Sequence, residues 1–216
     1  NPGDSGGPLE VSWDYPEGMI IEDVSWPTPK LIPYPPLITY GYEDEVNFVF
    51  KVFKNPSSII ENIKAKVNFL ICADICIPES ALLEIKLPLK ASQPEIEKGL
   101  ANLPSKQLKV NAYNEEEFIL IDFRHDEPIR NAYFFSDDNK FNYPEKHQLK
   151  KQSSNTYRMY LPKNHSSISS FSGVLKINDV GYFINANVAN VAINNTDSYS
   201  ISLYQAILFA LLDAQV

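Results

Sequence analysis

The chain has 216 residues, 44% apolar and 12% aromatic, which is ample for a packed core and excludes disorder over most of its length. Nineteen Lys and Arg against 27 Asp and Glu leave a formal charge of −8 with no basic run, so neither nucleic acid nor an anionic membrane surface is an expected partner. Sixteen Pro, 12 Tyr and 12 Phe, set among short Val and Ile segments, favour strands and turns over long helices.

In chain order, residues 1–42 are rich in Pro, Gly and Trp. Trp26-Pro27-Thr28-Pro29 and Pro33-Tyr34-Pro35-Pro36 leave room only for short or edge strands between turns. Val46 to Phe53 alternates, with Val46, Phe48, Phe50 and Val52 on one face, and predicts a strand. Asn55-Pro56-Ser57-Ser58 is a turn. Ala65 to Ile71 alternates again and places Val67, Phe69 and Ile71 inward, and Leu82 to Leu89 gives a further strand. Ala91 to Leu103 changes character to a short helix, with Ser92 as its cap and Pro94 and Glu95 in its first turn.

Beyond the helix, short strands recur at 107–112, 117–122, 132–135, 156–161, 170–177 and 181–188, separated by turn formers such as Ser136-Asp137-Asp138-Asn139 and Ile177-Asn178-Asp179. The fold class expected is all-β: two antiparallel β-sandwich domains joined by the short helix, and then an apolar C-terminal segment. The divisions fall at 1–92, 93–196 and 197–216. In the last, Ile201 to Leu212 reads ISLYQAILFALL, either a terminal helix packed on the domain or the first turns of a membrane helix.

Gly3-Asp4-Ser5-Gly6-Gly7-Pro8 repeats the segment around the nucleophile of chymotrypsin-like proteases. That chemistry needs a His base and an Asp orienter from strands that precede the motif in that family. Here His125, His147 and His165 all lie downstream, in turn-like contexts without the family's surroundings. The segment reads as a Gly-rich turn leading into the first strand, and Trp13 and Trp26 read as core packing.

The two cysteines, Cys72 and Cys76, stand four residues apart in Phe69-Leu70-Ile71-Cys72-Ala73-Asp74-Ile75-Cys76-Ile77-Pro78-Glu79. In one straight strand their Cα atoms would lie about 13 Å apart, beyond disulfide reach, so a bridge requires the chain to turn across Ala73-Asp74-Ile75. Four readings stay open: a structural disulfide, whose small ring restricts few unfolded conformations; a metal site, which needs two further ligands of unmatched spacing; buried free thiols; and a reversible dithiol, in which one sulfur is attacked and the other resolves the mixed disulfide. No Lys, Arg or His lies between Phe69 and Glu79, so nothing local depresses a thiol pKa, while Asp74 and Glu79 act to raise it.

The order and spacing of Asn1-Pro2-Gly3-Asp4-Ser5-Gly6, Trp26-Pro27-Thr28-Pro29, Tyr40-Gly41-Tyr42-Glu43-Asp44-Glu45-Val46 and Cys72-Ala73-Asp74-Ile75-Cys76-Ile77-Pro78-Glu79 resemble the periplasmic N-terminal region of the DsbD/ScsB thiol:disulfide interchange proteins, nearer the ScsB-like branch with its Cys-x-x-x-Cys spacing. The resemblance implies an immunoglobulin-like first domain, a protein-disulfide reductase activity without a cofactor or metal, and a location on the periplasmic side of a Gram-negative inner membrane. It implies Cys72 and Cys76 as the redox pair, and Tyr40 and Tyr42 as candidates for an aromatic cap over it, against their plainer reading as core tyrosines. Implied partners are thioredoxin-fold periplasmic proteins of the disulfide-isomerase kind and the family's transmembrane electron-transfer domain. Ser202 to Leu212 is similar to the entry into the first helix of that domain, from which the chain departs at Asp213-Ala214-Gln215-Val216. The rival reading is a non-catalytic β-sandwich binding or structural module with a short structural disulfide.

Overall fold

A computed structural model describes residues 3, 6–57, 62–73, 75–86, 93–104, 106–144, 146–164 and 167–189. Ser5, His165, the cap position Ser92 and the apolar segment 197–216 lie outside the described residues.

The elements run β1 (Glu10–Asp14), β2 (Met19–Ile21), β3 (Lys30–Tyr34), β4 (Leu37–Gly41), β5 (Val52–Lys54), β6 (Asn62–Cys72), β7 (Cys76–Lys86), α1 (Gln93–Ala101), β8 (Lys106–Gln107), β9 (Val110–Asn114), β10 (Phe118–Arg124), β11 (Ala132–Ser136), β12 (Gln148–Lys151), β13 (Thr156–Pro162), β14 (Ser170–Ile177) and β15 (Val180–Ala189). Among the described residues the fold is all-β with one short helix, as the composition favours.

The larger sheet has the order β11-β14-β15-β9-β10-β13-β12, with β8 beside β15. Its strands carry the alternation that buries one face: Tyr157, Met159 and Leu161 in β13, and Phe171, Leu175 and Ile177 in β14. The β10 sequence FILIDFR is apolar nearly throughout because it runs between β9 and β13, and Ile119 and Ile121 are fully buried. The sheet folds on itself through β15. Its first part pairs antiparallel with β14, and Val188 and Ala189 at its end pair parallel with Ala112 and Tyr113 of β9. One core cluster, including Phe134, Phe141, Met159, Leu175 and Ile184, fills the space between the two halves. Antiparallel pairing dominates, as expected; the exceptions are the two short parallel contacts of β15 with β8 and β9.

The first ninety residues build a smaller assembly. β1, β6 and β7 form a three-stranded antiparallel sheet, and β2–β5 and β3–β4 form two-stranded ribbons. Met19 and Ile63 are buried at its centre, packed by Trp13, Ile21 and Ile85. The β3–β4 hairpin turns at Pro35-Pro36 and seats on the larger sheet, where Ile38 and Tyr40 join Tyr133 and Phe135 of β11 in one buried cluster. The Thr28 N–H donates to the Asn102 carbonyl at 2.8 Å on the same flank.

Three expectations need correction. The predicted strand Val46–Phe53 survives only as β5, because a continuous ladder forms only at Val52–Lys54 along β2, with isolated backbone bonds from Glu22 to the Lys51 carbonyl and from Ser25 to the Val49 carbonyl before it. The residues before it are held by aromatic edges instead, Phe48 against Trp26 at 5.5 Å and Phe50 against Trp13 at 5.2 Å. Val67, Phe69 and Ile71 share the core-facing side of β6, but burial belongs to Ile63 and Ala65 and fades outward until Ile71 is 56% exposed. Finally, β12 was not foreseen: Gln148-Leu149-Lys150-Lys151 is a polar edge strand whose lysine ammonium groups lie over the Tyr160 and Tyr157 rings.

Candidate redox site

β6 and β7 are 11 residues each and pair along their whole length, from Asn62↔Lys86 to Cys72↔Cys76. The chain reverses across residues 73–75, with the Ala73 N–H donating to the Ile75 carbonyl at 3.1 Å. That reversal is the turn a Cys72–Cys76 bridge requires. The two cysteines close a disulfide of S–S 2.06 Å, with their Cα atoms 4.0 Å apart.

So short a Cα separation belongs to the pair type that exchanges no backbone hydrogen bonds in an antiparallel ladder. The types alternate, so residues 77, 79, 81, 83 and 85 turn their backbone groups toward β6, while Cys76, Pro78, Ser80, Leu82 and Glu84 turn theirs to the outer edge of the sheet. Pro78 lacks an N–H and occupies one of the outward positions, where none is needed for the ladder.

β1 accompanies β6 only as far as Glu10↔Asn68. From Phe69 to Glu79 the hairpin therefore continues as a two-stranded finger, with the disulfide across its last register pair. Both cysteines are exposed. On the disulfide's face stand Leu70 and Pro78; Gly7 packs so close to Leu70 that a Cβ there would come within 2.7 Å of its Cδ1. On the opposite face Ile71 pairs with Ile77, 56% and 48% exposed, and at the turn Ile75 is 67% exposed. This stripe continues the alternation that is buried lower down at Ile63 and Ala65, and it emerges beyond the reach of Met19, Ile21 and Trp13, which pack around Ile63.

The tyrosines singled out by the sequence sit in packed surroundings. Tyr40 is 8% exposed and presents ring edges to Phe135 at 4.9 Å, Tyr143 at 5.3 Å and Tyr133 at 5.9 Å, with its hydroxyl 3.2 Å from that of Tyr133. Tyr42 meets Phe48 edge-on at 5.5 Å and donates its hydroxyl to the Pro27 carbonyl at 2.8 Å, and burial pushes its phenol pKa up.

Sequence reasoning missed His147. It is 3% exposed, its ring 4.4 Å from that of Tyr133, with Nε2 3.2 Å from the Phe134 carbonyl and Nδ1 making no hydrogen bond. Burial lowers its pKa to about 4, against the opposing pull of the Phe134 and Tyr160 carbonyls. No sequence signal distinguishes it, because its neighbours Lys146 and Gln148 are exposed. Among the described residues no three or more His, Cys, Asp or Glu side chains converge as a metal site.

Residues 4–88, which include both cysteines, match the family model for the N-terminal domain of thiol:disulfide interchange protein DsbD. No curated protein matches the sequence. Among solved structures the chain is similar to the N-terminal periplasmic domain of ScsB from Proteus mirabilis, with a TM-score of 0.66 over 88% of this chain and 81% of that one at 17% identity. The sequence pattern of the DsbD N-terminal domain thus covers the cysteine hairpin, and the fold of the ScsB domain extends across both assemblies.

Proposed function

We propose that Cys72 and Cys76 form a reversible dithiol through which the chain passes reducing equivalents to thioredoxin-fold periplasmic proteins, drawing them from a membrane electron-transfer domain. The observation that carries this reading is the position of the disulfide, exposed at the end of a finger that stands beyond its own sheet, within the segment matched to the DsbD N-terminal domain. A bridge serving only to hold the fold together gains little there, because the strands it joins are already paired over 11 residues.

In the reduced protein one cysteine, as thiolate, attacks a partner disulfide; that S–S bond breaks, a mixed disulfide forms, and the partner's released sulfur takes up a proton. The second cysteine, giving up its proton, attacks the mixed disulfide and displaces the partner's other sulfur, which is protonated in turn. Two electrons have then moved to the partner, and the Cys72–Cys76 bridge is left as it stands here. The packing of Tyr40 against Tyr133 and Phe135 supports a role in holding the first assembly on the larger sheet, and that of Tyr42 against Phe48 and Pro27 a role within the first assembly.

The decisive measurement is the reduction potential of the couple, from equilibration against glutathione or dithiothreitol buffers with trapping of free thiols. The expected value lies among the exchange catalysts, roughly −180 to −270 mV. A value below about −300 mV makes the bridge structural and overturns the relay.

A further inference from the structure

The isoleucines around the disulfide take no part in the buried cluster of the first assembly, which lies around Met19 and Ile63 toward the other end of the hairpin. We propose that Ile71, Ile75 and Ile77 form an apolar collar by which the finger enters a cleft of its dithiol partner, a thioredoxin-fold protein whose cysteines lie in an uncharged, apolar surround. This rests on the relay reading and adds to it what the partner must look like.

Two features define that occupant. The first is placement: the disulfide lies on one face of the finger with Leu70 and Pro78, Ile71 and Ile77 lie on the other, and Ile75 stands at the turn. A flat surface laid on either face leaves the other exposed, whereas a cleft that takes the finger end-on covers all three isoleucines and brings its own sulfur to the bridge. Ile71 and Ile77 are chain neighbours of the cysteines, and Ile75 precedes Cys76, so a group that reaches either sulfur meets the collar.

The second is charge. From Phe69 to Glu79 there is no cation, and the acidic residues are Asp74 and Glu79 alone. Recognition through a basic finger is therefore absent, and a second copy of the chain is disfavoured because each molecule carries a formal charge of −8. Beside the two carboxylates, what remains as an attractive surface is apolar area, whose contribution depends little on ionic screening.

The test compares Ile75→Ser and the double variant Ile71→Thr with Ile77→Thr, the latter keeping β-branched residues on the strands, with the unaltered chain. Reduced thioredoxin is the protein probe and dithiothreitol the small one, with acid quench and thiol trapping to follow reduction of the bridge. The expected result is that the second-order rate with thioredoxin falls about tenfold or more in each variant, and that it changes little from 0.05 to 0.5 M salt in the unaltered chain. The dithiothreitol rate and the reduction potential stay unchanged, and Ile75→Leu retains the thioredoxin rate. If both reductants slow alike, or neither slows, the collar is not a docking surface. If thioredoxin fails on the unaltered chain while dithiothreitol reduces it, the relay reading itself fails, and the collar with it.

Discussion

A buried neutral histidine makes the stability of this protein depend on acid in a calculable way. His147 folds with a pKa of about 4 against 6.5 for an exposed imidazole. Its folded value is depressed, so the stabilisation is complete above pH 6.5 and is lost as the pH falls toward and through 4, where the unfolded chain binds a proton that the folded one refuses. At 1.36 kcal/mol per unit, the loss amounts to about 2 kcal/mol at pH 5 and about 3 kcal/mol at pH 4. The substitution that isolates it is His147→Gln, which keeps a donor for the Phe134 carbonyl and removes the titration. Urea unfolding at fixed ionic strength from pH 7.5 to 4, with the disulfide intact, gives the difference between the two proteins at each pH and cancels the carboxylates they share. His147→Gln should be less stable at pH 7.5 by about 1 kcal/mol and should overtake the parent between pH 6 and 5. Parallel curves, or a His147 ring proton that titrates near 6.5 by NMR, would refute the reasoning.

Substitutions at two further positions probe the same region. Tyr40→Phe should cost about 1 kcal/mol by removing the hydroxyl that lies 3.2 Å from Tyr133, whereas Tyr40→Ala, which empties a cavity between β4 and β11, should cost about 3 to 5 kcal/mol in chemical denaturation. Gly173→Ala should lower stability by more than about 2 kcal/mol, because its Cβ would overlap the Phe135 carbonyl oxygen and come within 2.9 Å of the Phe134 ring; a melting temperature equal to the parent's would contradict that packing.

The part of the fold legible in the sequence is the part where local pattern and burial coincide. β13 and β14 alternate cleanly because one face looks into the core, and both were expected to within a residue. The same rule overreached at residues 46–51, where alternating side chains pack on Trp13 and Trp26 but the backbone finds few strand partners. It missed β12, which buries too little to leave a pattern. At the site, the need for a turn between Cys72 and Cys76 could be derived from distance alone. The exposure of Ile71 could not, because how far Met19 and Ile21 reach along the face of β6 is a long-range fact: identical alternation reads the same whether or not another element lies over it. His147 was hidden for a similar reason, since its burial comes from packing against residues of β11 distant in sequence.

The double allegiance of β15 sets a schedule for the chain as it is made. Its first residues lie beside β14, a hairpin neighbour, but its end closes onto β9, reached across some seventy-five residues. A polypeptide emerging from its amino end can therefore complete the small assembly and its cysteine finger while the larger core still lacks its seam. The sandwich can be sealed only after Val188 and Ala189 have cleared the exit, which makes closure a late, non-local and slow event. In that interval Phe134, Met159 and Leu175 remain available to water and to other chains, so the window for aggregation stays open until residues 188 and 189 have emerged.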